Sequence, residues 1–179
     1  MDASTRESVL ARASRVRLMI FDVDGILTDG SLQYSGDGEA VKRFNVLDGH
    51  GIKLLQQNGI LTAFMSARNS PAVSRRAADL NIAYVIQGAH DKRAALTKLC
   101  DDAGVAASEC GFAGDDWVDL PVLTRVEFAA TVPNAHAEIR VRAHYITEAY
   151  GGRGAARELC DLLLQAQGKY VIALAPFLT

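Results

Sequence analysis

The sharpest pattern along the chain is an uninterrupted apolar run, Leu18-Met19-Ile20-Phe21, that passes straight into Asp22-Val23-Asp24-Gly25. So short a run predicts a buried strand, over Arg17–Asp22, because a helix needs more length. Comparable runs recur at Ile60–Met65, Ala83–Ile86, Gly111–Ala113, Glu127–Val132 and His144–Thr147. Between them the apolar positions shift to helical spacing. Asp91 opens a helix to Ala103 with Leu96, Leu99, Cys100 and Ala103 on one face. Ala155–Gln167 carries the stripe Ala155, Leu159, Leu162, Leu163 and Ala166. Ser70-Pro71 supplies a cap and a first-turn proline for a helix to Leu80, which Asn81 stops. Shorter helices are expected at Ile52–Gln57, Val118–Leu123, His136–Arg142 and Ser4–Ser14, where Ser4 and Glu7 have capping-box spacing.

One segment departs from this rhythm. Residues 27–46 alternate, with strands expected at Ser31–Tyr34 and Val41–Val46 around the turn cluster Ser35-Gly36-Asp37-Gly38. That is a β-hairpin placed directly after the acid pair, and it would overhang it. Asp48-Gly49-His50-Gly51 reads as a lead-in to the helix that follows. Alternating strands and helices elsewhere imply an α/β fold, a parallel sheet with helices on both faces and right-handed crossovers. Such sheets bind ligands beyond the carboxyl ends of their strands, which is where the polar clusters fall.

Composition narrows the class. The 179 residues, 49% apolar and 22% charged, fit one soluble domain over 1–179 with an ordinary core. A net charge of -2 gives no handle for nucleic acid or an anionic membrane, so neither is expected as a partner. Asp2, Arg6, Glu7, Arg12, Arg15 and Arg17 argue against a secretory leader. No apolar run approaches the roughly 20 residues of a spanning helix. Cys100, Cys110 and Cys160 lack metal or disulfide spacing, and buried thiols in the cytoplasm are expected. His50, His90, His136 and His144 also lack metal spacing. The tail 170–179 holds Val171, Ile172, Leu174, Phe177 and Leu178 and is expected to dock on its own or a neighbouring subunit.

Four groups then converge: Asp22 with Asp24, Ser66, and Asp115 with Asp116 and Asp119 at strand ends, and Lys92 at a helix start. Phosphoryl transfer needs this set. A carboxylate can attack phosphorus only where cations suppress repulsion between the two anions. Oxygens from Asp22 and Asp115 suit a hard ion such as Mg²⁺. The Ser66 hydroxyl can hold a phosphoryl oxygen, and the Lys92 ammonium can neutralise growing charge. Asp24 can protonate the leaving alkoxide and later deprotonate water. Lys92 sits in a first helical turn, where the dipole disfavours a cation, which points to another partner.

Asp22-Val23-Asp24-Gly25, Ser66, Lys92 and Gly114-Asp115-Asp116 resemble, in order and context, the four motifs of the haloacid dehalogenase-like phosphatases. The stretches 22–30, 42–51, 114–121 and 151–158 are similar to those of family members acting on 3-deoxy-D-manno-octulosonate 8-phosphate, and the similarity runs over roughly 16–169. The resemblance implies a Rossmann-like three-layer parallel sheet with a small β-hairpin in place of a cap domain. It also implies hydrolysis of a sugar-acid phosphate for lipopolysaccharide synthesis, with Mg²⁺ as cofactor. A homotetramer in which neighbouring subunits close the site is implied too. Residue by residue, it makes Asp22 the nucleophile and a metal ligand. Asp24 becomes the acid/base and, through its carbonyl, a second ligand, and Asp115 the third. Ser66 and Lys92 hold the phosphoryl group, and Asn45, Asp48, Gly49, Arg68, Arg76 and Arg153 are substrate-side candidates. Where relatives usually read Thr-Gly-Arg, this chain has Ser66-Ala67-Arg68.

Three rivals share parts of this pattern. A phosphatase for a nine-carbon, sialic-type acid would keep the same core. A phosphoacceptor receiver domain also combines acidic residues, a hydroxyl and a lysine, but there the lysine comes last, whereas Lys92 precedes Asp115. A catalytically dead scaffold would have no reason to keep all four groups.

Overall fold

The computed structural model describes residues 3–36 and 38–178, the side chains at 3–5, 39 and 40 excepted. Six parallel strands form the main sheet: β1 (Leu18–Phe21), β4 (Leu61–Met65), β5 (Tyr84–Ile86), β6 (Cys110–Ala113), β7 (Phe128–Thr131) and β8 (Tyr145–Ile146), in the order β5-β4-β1-β6-β7-β8. The apolar run that defines β1 is wholly buried, and both its neighbours pair with all four of its residues. The chain builds outward from β1 to β4 and β5, then returns to β6 on the other side of β1. That reversal opens a crevice at the carboxyl end of β1, the usual ligand position in such sheets.

Helices α1 (Ala3–Ala13), α2 (Val46–Gln57) and α7 (Ala155–Ala166) pack together, while α4 (Lys92–Ala103) packs with α5 (Leu120–Leu123). The others are α3 (Pro71–Asp79), α6 (Ala137–Arg140) and α8 (Tyr170–Leu174). The α/β expectation therefore holds, strand for strand. Differences lie at element ends. Helix α1 already includes Ser4, so that residue sits within the helix, and its expected capping side chain lies outside the described residues, as does Asp37 of the turn.

The hairpin consists of β2 (Gln33–Ser35) and β3 (Gly38–Val41), with a register shift at Gln33/Tyr34. The second strand ends at Val41, not Val46, and α2 begins six residues before the expected Ile52. Asn45 caps it, its side chain accepting from Leu47 N at 2.8 Å. The glycines that looked like a lead-in are inside the helix because other side chains need their space. A Cβ on Gly49 would lie 2.2 Å from Arg76 Nη2.

The tail turns back as α8 and a short turn, Ala175–Phe177, and the Phe177 ring meets His50 edge-on at 5.4 Å. Val171, Ile172 and Leu178 remain exposed. Among the described residues no helix is long and apolar enough to cross a membrane. The cysteines are free thiols.

Near the sheet edge, His144 Nδ1 accepts from Ala129 N at 2.9 Å, and burial followed by the Arg12 charge lowers the His144 pKa below its ordinary value of 6.5. The folded chain thus favours neutral His144. Its contribution to stability is present above the unfolded pKa and is lost as pH falls through the folded one. The thermal midpoint is expected to drop as pH falls below about 6.5, and His144→Asn to flatten that slope. An unchanged slope in the variant would assign the acid sensitivity elsewhere.

Candidate active site

β1 delivers Asp22 to the crevice, its backbone N–H still bonded to Ala113 O of β6 at 2.9 Å. The chain then makes a compact turn over Val23–Leu27, closed by Thr28 N to Val23 O at 3.0 Å. Gly25 holds φ +88, and a Cβ there would lie 1.9 Å from Asp115 Oδ2. Only glycine lets the turn after Asp24 lie against the Asp115 carboxylate. The loop after β8 braces the same turn, through Gly152 N to Ile26 O at 2.9 Å.

Three strand ends and one helix start meet here. Ser66 follows β4, and its hydroxyl accepts from Arg68 N at 3.1 Å. Lys92 opens α4 after the Asp91 cap and is almost fully buried. Its Nζ donates to Asp22 Oδ1 at 2.7 Å and to Asp119 Oδ1 at 2.5 Å. The other Asp119 oxygen accepts from Asp115 N at 2.9 Å and Asp116 N at 3.1 Å. Asp119 is 0% exposed and thereby pins the loop after β6 to Lys92. Asp22, Asp24, Gly30, Ser66, Ala67, Arg68, Lys92, Asp115, Asp116 and Val118 line one open cavity of about 210 Å³.

The electrostatics are those of an acidic cluster short of positive charge. Burial, then the neighbouring Asp119, push Asp22 well above the usual carboxylate range, with Lys92 pulling against them. Burial followed by Asp119 and Asp116 pushes Asp115 up to about 7. Burial opposes the charge on Lys92, but Asp22 and Asp119 more than offset it and hold its pKa above the ordinary value. Asp22, Asp115 and Asp119 bring oxygens within 4.8 Å of one another. Both Asp119 oxygens already have donors, so Asp22 and Asp115 are the carboxylates best placed to accept a cation. An all-oxygen donor set of this kind fits Mg²⁺.

Not every sequence candidate lines the cavity. Arg68 does, with Nε 3.9 Å from Asp24 Oδ2 and Nη2 donating to the Tyr34 hydroxyl at 3.1 Å. Asn45, Asp48, Gly49 and Arg76 gather instead around a separate small pocket. Asp48 Oδ1 accepts from Arg157 N at 2.8 Å, at the start of α7, where the helix dipole favours an anion. Arg76 donates to Asn45 O at 3.0 Å and lies over the Phe44 ring at 5.7 Å. Arg153 is exposed and lines an open cleft with Asp29, Ser31, Asn134, Tyr150 and Gly151. Trp117, beside the Asp115-Asp116 pair, is 59% exposed and donates to His136 Nδ1 at 2.8 Å.

The structure adds one residue that pattern reading passed over. Lys42, just beyond β3, donates to Asp24 Oδ1. The only sequence signal was its place in the 42–51 stretch.

The fold, the acid pair and the lysine between two carboxylates define a phosphotransfer hydrolase of known type. The chain belongs to the haloacid dehalogenase-like hydrolase family, which matches residues 81–159. It is 42% identical over 161 residues to the 3-deoxy-D-manno-octulosonate 8-phosphate phosphatase KdsC of Escherichia coli K12, covering 90% of this chain and 86% of that one. A crystal structure of the Moraxella catarrhalis phosphatase of the same name, in complex with magnesium ion, phosphate ion and KDO, superposes with a TM-score of 0.93 at 40% identity, covering 96% and 98% of the two chains. The cobalt-bound Haemophilus influenzae phosphatase (YrbI) gives 0.89 at 40% identity, covering 94% and 99%.

Proposed function

We propose that this chain is a Mg²⁺-dependent phosphatase that converts 3-deoxy-D-manno-octulosonate 8-phosphate to the free sugar acid and phosphate. The observation that carries the reading is the buried Asp22–Lys92–Asp119 array, of which Asp22 and Lys92 line the cavity and Asp119 lies behind them. Its support from relatives is near full-length similarity to phosphatases named for that substrate. A receiver domain is not favoured, because membership of the hydrolase family accounts for the whole motif order.

Asp22, Asp115 and the Asp24 carbonyl would hold Mg²⁺, which supplies charge neutralisation for the attack of one anion on another. The Asp22 carboxylate attacks phosphorus while Asp24 gives its proton to the leaving oxygen. Water, deprotonated by Asp24, then releases phosphate from the aspartyl phosphate. Lys92 fixes the Asp22 carboxylate and balances charge on the phosphoryl oxygens, and the Ser66 hydroxyl receives one of them. Arg68, at the cavity mouth, suits the substrate carboxylate. Asn45, Asp48, Gly49 and Arg76 shape the hairpin exit, and Arg153 faces the substrate side only if a neighbouring subunit closes the cleft. We further propose a cytoplasmic homotetramer serving lipopolysaccharide precursor synthesis. The exposed Val171, Ile172 and Leu178 and the hairpin residues Tyr34 and Val41 are apolar surface that association would cover.

The test is phosphate release from a panel of sugar-acid phosphates, eight- and nine-carbon, with Mg²⁺ and with chelator. The eight-carbon ester is expected to exceed a generic aryl phosphate by about 10-fold or more in kcat/KM, a difference of ~1.4 kcal/mol in transition-state binding. Equal values would refute the substrate, and a nine-carbon preference would select the sialic-type alternative.

A further inference from the structure

The carboxylate of Asp24 is held from outside the phosphate cluster. Lys42 leaves the end of β3 and donates to Asp24 Oδ1; its side chain is 2% exposed, against 22% for Asp24. On the opposite oxygen stands Arg68 Nε, at 3.9 Å, itself tied to Tyr34 of β2. Among the described residues, the two cations reaching Asp24 are therefore both linked to the hairpin, one through the chain and one through a tyrosine. A buried ammonium is retained only against a strong partner, since an unpaired charge out of water is costly. Here one such partner is the residue assigned to move the proton.

We infer that Lys42 is a positioning residue: it fixes the Asp24 carboxyl toward the leaving oxygen, so the hairpin carries part of the proton-transfer machinery as well as overhanging the site. The inference rests on the reading of Asp24 as general acid. In the step concerned, a bond forms between an Asp22 oxygen and phosphorus. The bond from phosphorus to the ester oxygen breaks with its electron pair going to that oxygen, and the oxygen takes the proton from Asp24. Lys42 keeps all its protons. What it removes is rotamer freedom that Asp24 would otherwise lose on reaching the transition state. A lysine that merely stapled the hairpin down would affect every substrate alike.

Leaving groups separate these cases. A nitrophenolate departs without help, whereas an alkoxide needs the proton. The value of kcat/KM reports only the steps through departure of the leaving group, so later hydrolysis of the aspartyl phosphate does not enter. For wild type and Lys42→Met, which keeps the length and apolar stem of the side chain, kcat/KM would be measured across simple phosphate monoesters of rising leaving-group pKa. The loss in the variant is expected to grow along the series, from a few-fold for nitrophenyl to on the order of 100-fold for alkyl esters, and Lys42→Arg to recover most of it. Parallel lines for the two proteins, or a loss unrelated to leaving-group pKa, would overturn the inference. The wild-type preference among sugar acids is read separately, so a wrong substrate assignment would leave this result standing.

Discussion

Asp22→Asn abolishes turnover, on the order of 10⁴-fold or more, while the protein stays folded. The amide has the shape of the carboxylate but cannot form the acyl phosphate, so no slower version of the same route is open to it. The fold survives because the backbone of Asp22 continues the β1–β6 ladder, which the substitution does not touch. Two electrostatic effects oppose each other at the side chain. Lys92 loses one of its two carboxylates but keeps Asp119 at 2.5 Å. Burial, which pushes the Asp22 carboxyl upward, no longer penalises a neutral group. The net change in thermal midpoint is therefore small. Phosphate release and a melting curve on the same preparation check both halves, and activity within 10-fold of wild type would remove Asp22 as nucleophile.

Asp119→Ala lowers both activity and stability, although Asp119 touches neither substrate nor, in this reading, metal. Its carboxylate meets three donors: Lys92 Nζ and the N–H groups of Asp115 and Asp116. Deleting it strips a buried ammonium of one anion and leaves two loop amides without their acceptor. Relief of repulsion on Asp22 and Asp115 works the other way, since Asp119 raises the pKa of both. Lost hydrogen bonds win, because the ammonium is buried, the two amides are at least partly shielded, and the surviving carboxylates have Lys92 and a cation to share. A loss of about 3 kcal/mol in urea unfolding is expected, with turnover down by roughly 100-fold as Asp115 and Lys92 drift. A stability loss below about 1 kcal/mol would make Asp119 a bystander.

The readable parts of this protein were those where local chemistry and global position coincide. Leu18–Phe21 could only be a buried strand, and the carboxylates that end it could only lie at the sheet edge. Ser66, Lys92 and Asp115 follow the same logic, each at the first polar position beyond a strand or at the start of the next helix. The start of α2 was misplaced because Gly49 and Gly51 weaken a helix locally. Their reason for being there is the Arg76 and Arg157 side chains, far along the chain. Asp48 was a substrate-side candidate through the family resemblance, yet its carboxylate meets the start of α7, a junction that no local pattern encodes. Lys42 was invisible for the opposite reason. A lysine at a strand end looks solvated in any alternating stretch, and only the folded hairpin places it on Asp24.

The loop that braces the catalytic turn also sets when the site can exist at all. Asp48 reaches Arg157 across 109 residues of chain, and Asn45 reaches Gly152 across 107. Closing loops of that length is entropically the slow part of folding, compared with forming any single helix. The acid pair is written near one end of the chain and its buttress near the other. Its geometry is thus a property of the finished molecule, and partly folded forms hold the aspartates without the frame that lets them bind and attack.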